Sequence, residues 1–83
     1  MPLFMDVHEK VDGLTSEAVA GAHRRDLEVQ GSYGVQYLRY RFDETSGKVF
    51  CLSEGPNRDA VARVHEKAGH PTDQVWEVPL SGE

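Results

Sequence analysis

The segments 17-EAVAGAH-23 and 59-DAVARVH-65 decide the fold. Both run acid, Ala, Val, Ala, one variable residue, a small apolar residue, His. The second begins 42 positions after the first, in a chain of 83 residues. Each follows a residue suited to capping a helix N-terminus, Thr15 in one case and Asn57 in the other. Each places its acid in the first turn, where the helix dipole favours negative charge. The spacing therefore predicts two helices, over 16–30 and 58–68, stopped by Gly31 and Gly69.

The residues between the helices read as strands. "LFMDVHE" (3–9) alternates and is rich in strand formers. "YGVQYLRYRF" (33–42) and "KVFCLSE" (48–54) flank a turn carrying Ser46-Gly47, so they read as a hairpin. "DQVWEVP" (73–79) is a last strand, stopped by Pro79. The order β-α-β-β-α-β is the split pattern of ferredoxin-like α+β folds. It predicts one domain over 1–83, with a four-stranded antiparallel sheet and both helices on one face. The repeated segments are the helices of two βαβ halves. "LSGE" (80–83) reads as a frayed tail.

Bulk properties exclude several classes. The net charge of −5 argues against nucleic acid, which calls for clustered cations. No stretch approaches the roughly 18 apolar residues of a membrane span, and the N-terminus lacks a signal-peptide pattern. A single Cys allows no internal disulfide and suits a cytoplasmic protein. There is no P-loop, dinucleotide fingerprint, metal-finger spacing or nucleophile elbow.

Strand three is apolar on both faces, with Val49 and Cys51 on one and Phe50 and Leu52 on the other. Strand two splits into Val35 and Tyr37 against Leu38, Tyr40 and Phe42. Helices can cover one face only, so the other is expected to pack against a second copy in a two-fold homodimer. The competing reading is an exposed aromatic sheet that binds a small ligand.

The chemistry rests on four His, one Cys and a few carboxylates. His23 follows Val19 and precedes Leu27 at helical spacing, and His65 follows Val61, so both imidazoles sit on or beside an apolar stripe. From neighbouring helices they can converge on one cavity, as metal ligands or acid-base groups. They can equally be core-edge residues satisfied by hydrogen bonds. Asp6 and His8 share a strand face and can serve one ion, or simply enter solvent. His70 lies in the loop after helix two and can meet His65 only because Gly69 ends the helix between them. Cys51, on a central strand, reads as a small hydrophobe, a secondary metal donor or, more remotely, a nucleophile beside His65. Asp26 lies near His23 and reads as its orienting partner, a ligand or an edge residue.

Taken together, Ala22-His23, Asp26-Leu27, Gln30, Gly34-Val35, Asp43-Glu44, Gly47, Phe50-Cys51-Leu52, Pro56 and Val64-His65 resemble a family of small bacterial domains of unknown function. Its characterised member is a nickel-binding, dimeric ferredoxin-like protein. The resemblance covers about residues 3–78. It departs at Gly69-His70-Pro71, where the family tends to read His-Gly, and at Arg41, where a Trp is common. The first departure bears on metal geometry and the second on a strand surface.

The resemblance implies a divalent-metal-binding homodimer, with nickel as the ion. Imidazole by itself suits nickel, copper and zinc alike. The expected role is sequestration, delivery or sensing, not catalysis. His23 and His65 are the expected ligands or near neighbours, with His8, Asp6, His70 and Cys51 behind them. The alternative is a dimeric barrel that binds or converts a small organic ligand, using a His as acid-base group.

Overall fold

The computed structural model describes residues 1–82. The elements are β1 (Leu3–His8), α1 (Ser16–Val29), β2 (Gln36–Asp43), β3 (Lys48–Glu54), α2 (Arg58–Lys67) and β4 (Gln74–Glu77). They form one four-stranded sheet in the order β2-β3-β1-β4, antiparallel at every seam. This is the expected ferredoxin-like α+β topology, with β3 and β1 as the central strands and β2 and β4 at the edges. Of the expected tail, Leu80 is almost fully exposed and Glu83 lies outside the described residues.

Local chemistry sets the helix ends. Thr15 accepts a hydrogen bond from the Ala18 N–H, and Asn57 from that of Ala60 at 2.8 Å. Each side chain satisfies one of the backbone donors that a helix start leaves unpaired. The end of α1 differs from expectation. Gly31 does not stop it; the chain continues through a 3-10 turn over Gln30–Tyr33, and Gly34 takes the left-handed conformation. Strand β2 consequently starts at Gln36 and not at Tyr33. The Gln30 side chain steers the chain into it by accepting from the Tyr37 N–H at 2.9 Å.

At the end of α2, Gly69 adopts φ +93°, a conformation that disfavours residues with a Cβ. The Gly69 N–H bonds back to the Glu66 carbonyl and the His70 N–H to the His65 carbonyl. That pair of bonds is a Schellman closure, which folds the chain back over the last turn.

The core lies between the helices and one sheet face. It gathers Phe4, Val49 and Cys51 from the strands, Val19 from α1, and Val61 and Val64 from α2. A bulge between Tyr37 and Arg39 shifts the alternation of β2. Tyr40 and Phe42 therefore join Tyr37 on the core side, packed against the cluster, while Leu38 is 45 % exposed. The expected split of β2 into two apolar faces is corrected here: the extra residue carries both aromatics across. On the opposite sheet face, Met5 pairs across the ladder with Leu52 and with Trp76, and Val7 with Phe50. Phe50 and Trp76 remain 40 % and 44 % exposed there.

Candidate metal centre

The alternation of β1 sends Phe4, Asp6 and His8 to the helix side of the sheet, and that of β3 sends Cys51 to the same side. Helix α2 buries the face made by Ala60, Val61, Val64 and His65. Helix α1 buries Val19 and Asp26, seven residues and two turns apart. The inward stripe of α1 is thus Val19, Ala22 and Asp26, and of the expected Val19-His23-Leu27 stripe only Val19 reaches the core. Leu27 is exposed, and His23 is half-buried with its ring 4.8 Å from that of Tyr40.

At the centre, His65 is fully buried and bonded at both ring nitrogens. Its Nδ1 lies 2.9 Å from Asp26 Oδ1 and its Nε2 lies 3.0 Å from Asp6 Oδ1. A carboxylate oxygen accepts, so each nitrogen must donate, and the ring is held as imidazolium. Burial opposes that charge, but the two carboxylates override it and raise the His65 pKa to about 11. Asp26, read from sequence as an orienting partner of His23, a ligand or an edge residue, is a buried partner of His65 and not of His23.

Two further imidazoles flank this triad. The His8 ring lies 4.7 Å from that of His65, and the His70 ring 5.0 Å from it. His8 donates from Nδ1 to the Pro71 carbonyl at 3.1 Å. That bond leaves its Nε2 as a lone pair, 3.9 Å from Asp6 Oδ1. His70 donates from Nε2 to the Ala22 carbonyl, and the same nitrogen is 3.3 Å from Asp26 Oδ1. Burial and the neighbouring imidazolium lower the pKa of His8, so this ring stays neutral near pH 7. Burial, with the same imidazolium, also lowers the pKa of His70 against the pull of Asp26. Burial pushes the Cys51 thiol up, against the pull of His65.

The loop after α2 is pinned to β1. Thr72 donates its hydroxyl to the Val7 carbonyl at 2.8 Å, the Asp73 N–H bonds the same carbonyl, and the Glu9 N–H bonds the Asp73 carboxylate. The Schellman closure and these ties together hold His70 over His65.

Two groups of side chains offer donor atoms within 4.8 Å of one another: Asp6, His8, Cys51 and His65, and Asp26, His65 and His70. All these residues are possible ligands by sequence, Asp26 as one of three readings. His23 belongs to neither group, although it lines the same cavity as His65. That cavity, of about 200 Å³, is bounded by α1, α2 and the sheet, and its walls are mainly apolar.

The donor set fits a transition-metal ion. Imidazole nitrogens are its main component, and His8 already shows the arrangement usual for a ligating His, one nitrogen tied to a carbonyl and the other free. Asp6 Oδ2 is buried without a hydrogen-bond partner. A buried carboxylate oxygen left unpaired is costly, and a cation satisfies it.

No described helix is long and apolar enough to cross a membrane. No curated protein matches the chain. Among solved structures, that of SCO4226 from Streptomyces coelicolor A3(2) is similar to it, with 48 % identity and a TM-score of 0.93. The match covers 96 % of this chain and 99 % of the other. A family model described as nickel responsive protein SCO4226-like matches residues 4–78, and the chain belongs to that SCO4226-like family.

Proposed function

We propose that this protein captures a divalent transition-metal ion, nickel foremost, in the cluster around His65. The observation that carries this reading is the buried convergence of three imidazoles and two carboxylates, with Asp6 Oδ2 left unpaired. The nickel responsiveness in the family's description supports nickel among the ions that imidazole accepts. In this reading His65, His8, Asp6, Asp26 and His70 supply donors and Cys51 is a neighbouring thiol. His23 is a wall residue beside them. The protein works in the cytoplasm as a homodimer, and its role is to sequester, deliver or sense the ion.

The homodimer is favoured by the open sheet face, where Met5, Phe50, Leu52 and Trp76 have no covering layer among the described residues. An apolar strip of that kind on a small domain is a common mark of an interface.

A nickel titration by calorimetry at pH 7.5 tests the reading. The wild type is expected to bind more tightly than about 10 μM, near −7 kcal/mol. His65→Ala abolishes this binding, His8→Ala weakens it, and His23→Ala changes it little. Millimolar binding, or binding indifferent to His65→Ala, refutes the proposal.

A further inference from the structure

The cavity beside the donor groups is larger and more apolar than a hydrated ion needs. It holds about 200 Å³, and an apolar cavity of about 150 Å³ accommodates a benzene ring. Val11, Leu14, Val19, Ala22 and Val49 wall it, and His8, Asp26, His65 and His70 line it among them. Apolar walls offer the water shell of an ion no hydrogen-bond partners. The two donor groups contain four and three side chains and share His65. A set of that size leaves coordination positions for a ligand from outside the chain.

We infer that the cavity admits the ion as a complex with a small ring-bearing nitrogen–oxygen chelator, its ring against the aliphatic walls and its donor pair on the ion. The inference rests on the metal reading above and adds the ligand class. A single aromatic ring with one carboxylate fits the volume. The ring buries its faces against the valines and Ala22, while the chelating atoms stay with the ion at the donor groups. His23 takes a part here that the donor groups do not give it. It lines the cavity with its ring against Tyr40, so it offers a polar N–H to a carboxylate oxygen that the ion leaves free. No bond is made or broken within the chelator; binding is coordination and burial alone.

The test uses pyridine-2-carboxylate as the probe, titrated by calorimetry into the full chain loaded with one equivalent of nickel. Pyridine-3-carboxylate, of equal size and charge but unable to chelate through both atoms, is the control. The expected result is a ternary complex with the 2-isomer and none with the 3-isomer. Val11→Phe and, separately, Ala18→Leu add bulk at the cavity wall, at positions outside both donor groups. Each is expected to weaken uptake of the 2-isomer by about tenfold or more while nickel affinity stays within about threefold. Circular dichroism verifies that both variants fold, and Ala18, exposed in the first turn of α1, is the safer site. If nickel binds but the 2-isomer fails to join it, or only strips it from the protein, the chelate inference is overturned and the metal reading stands. Equal binding of both isomers, or uptake unchanged by both substitutions, also overturns it. If nickel itself fails to bind, both readings fall together.

Discussion

The buried triad Asp6–His65–Asp26 makes the metal-free protein sensitive to alkali, and the effect can be worked from its geometry. Both carboxylates lie within 3.0 Å of a ring that is fully buried. The folded pKa of His65 is raised to about 11, against an ordinary value of 6.5. A raised folded pKa means that the native state holds a proton which the unfolded chain releases above pH 6.5. The stability it contributes is fully present below that pH and is lost as pH climbs toward 11. Within the window the slope is about 1.4 kcal/mol per pH unit, so raising the pH from 7 to 9 costs about 3 kcal/mol. That is a large share of the 5–15 kcal/mol typical of a whole domain. Urea unfolding of the metal-free chain at pH 7, 8 and 9 reads it as a falling midpoint at constant slope m. Asp26→Asn keeps the shape of the side chain but removes one of the two charges. It is expected to destabilise the protein at pH 7 by about 3 kcal/mol and to flatten the alkaline decline. His8 and His70, whose pKa values are lowered, titrate below the window and leave it undisturbed. A wild-type midpoint that is flat from pH 7 to 9, or an Asp26→Asn variant with an unchanged decline, refutes the assignment of His65 as a clamped imidazolium.

Nickel can use a nitrogen of His65 only after that nitrogen loses its proton, so binding at pH 7.5 is expected to release about one proton per ion. Calorimetry in buffers of different ionisation enthalpy measures the number, and zero release excludes His65 as a ligand. Gly69→Ala puts a Cβ at φ +93°, where nothing lies within 4 Å, so its cost is conformational. It is expected to destabilise by about 1 kcal/mol and to weaken nickel binding by loosening His70, read by thermal unfolding and titration side by side. Phe50→Asp places a charge on the open sheet face, away from the donors, and is expected to reduce the particle in light scattering from twice the chain mass to the 9.3 kDa of one chain. A wild type that already scatters as one chain removes the dimer.

The fold was legible because the local signals that set the order of elements agreed with it, although Gly31 does not end α1 as expected. Caps at Thr15 and Asn57, turn residues at Ser46-Gly47 and the strand alternation of 3–9 each pointed to the same order of elements. The errors fell where one residue changes a phase. A bulge at Leu38 is silent in a run as uniformly strand-forming as "YLRYRF", yet it moves Tyr40 and Phe42 to the other face. A shift of one residue, about 100°, in the phase of α1 exchanged Asp26 for Leu27 at the core. His23 drew attention because it sits in the repeated segment. Asp26 drew less because a carboxylate on an apolar stripe is ordinarily an edge residue. What fixed its burial was a charge partner 39 residues away, and a single sequence carries no mark of that. The meeting of His65 and His70 was legible in part. Five residues is not a helical spacing, but a Gly just before the second His is the signature of a Schellman closure. The closure joins the backbones of those two positions.

His65 also limits how the centre can be filled. It belongs to both donor groups, Nε2 facing Asp6 and Nδ1 facing Asp26. A neutral imidazole has one lone pair in the ring plane to give and keeps one N–H. An ion taken at Nε2, with Asp6 and His8, leaves Nδ1–H donating to Asp26. An ion taken at Nδ1, with Asp26 and His70, leaves Nε2–H donating to Asp6. In either case the carboxylate that is not bound to the ion becomes the partner that orients the ligand ring, the carboxylate–histidine–metal arrangement that raises ligand basicity. The two groups are therefore alternatives, and the protein is expected to bind one ion per chain. The test is the equivalence point of a nickel titration at a chain concentration well above Kd. Replacing Asp6 or Asp26 by Asn then identifies the group in use. The substitution that removes a direct ligand costs more affinity than the one that removes the orienting partner, for which about 10- to 100-fold is typical. Two ions per chain at full affinity would mean that His65 is not shared, and the clamp that dominates the metal-free protein would have to open on both sides at once.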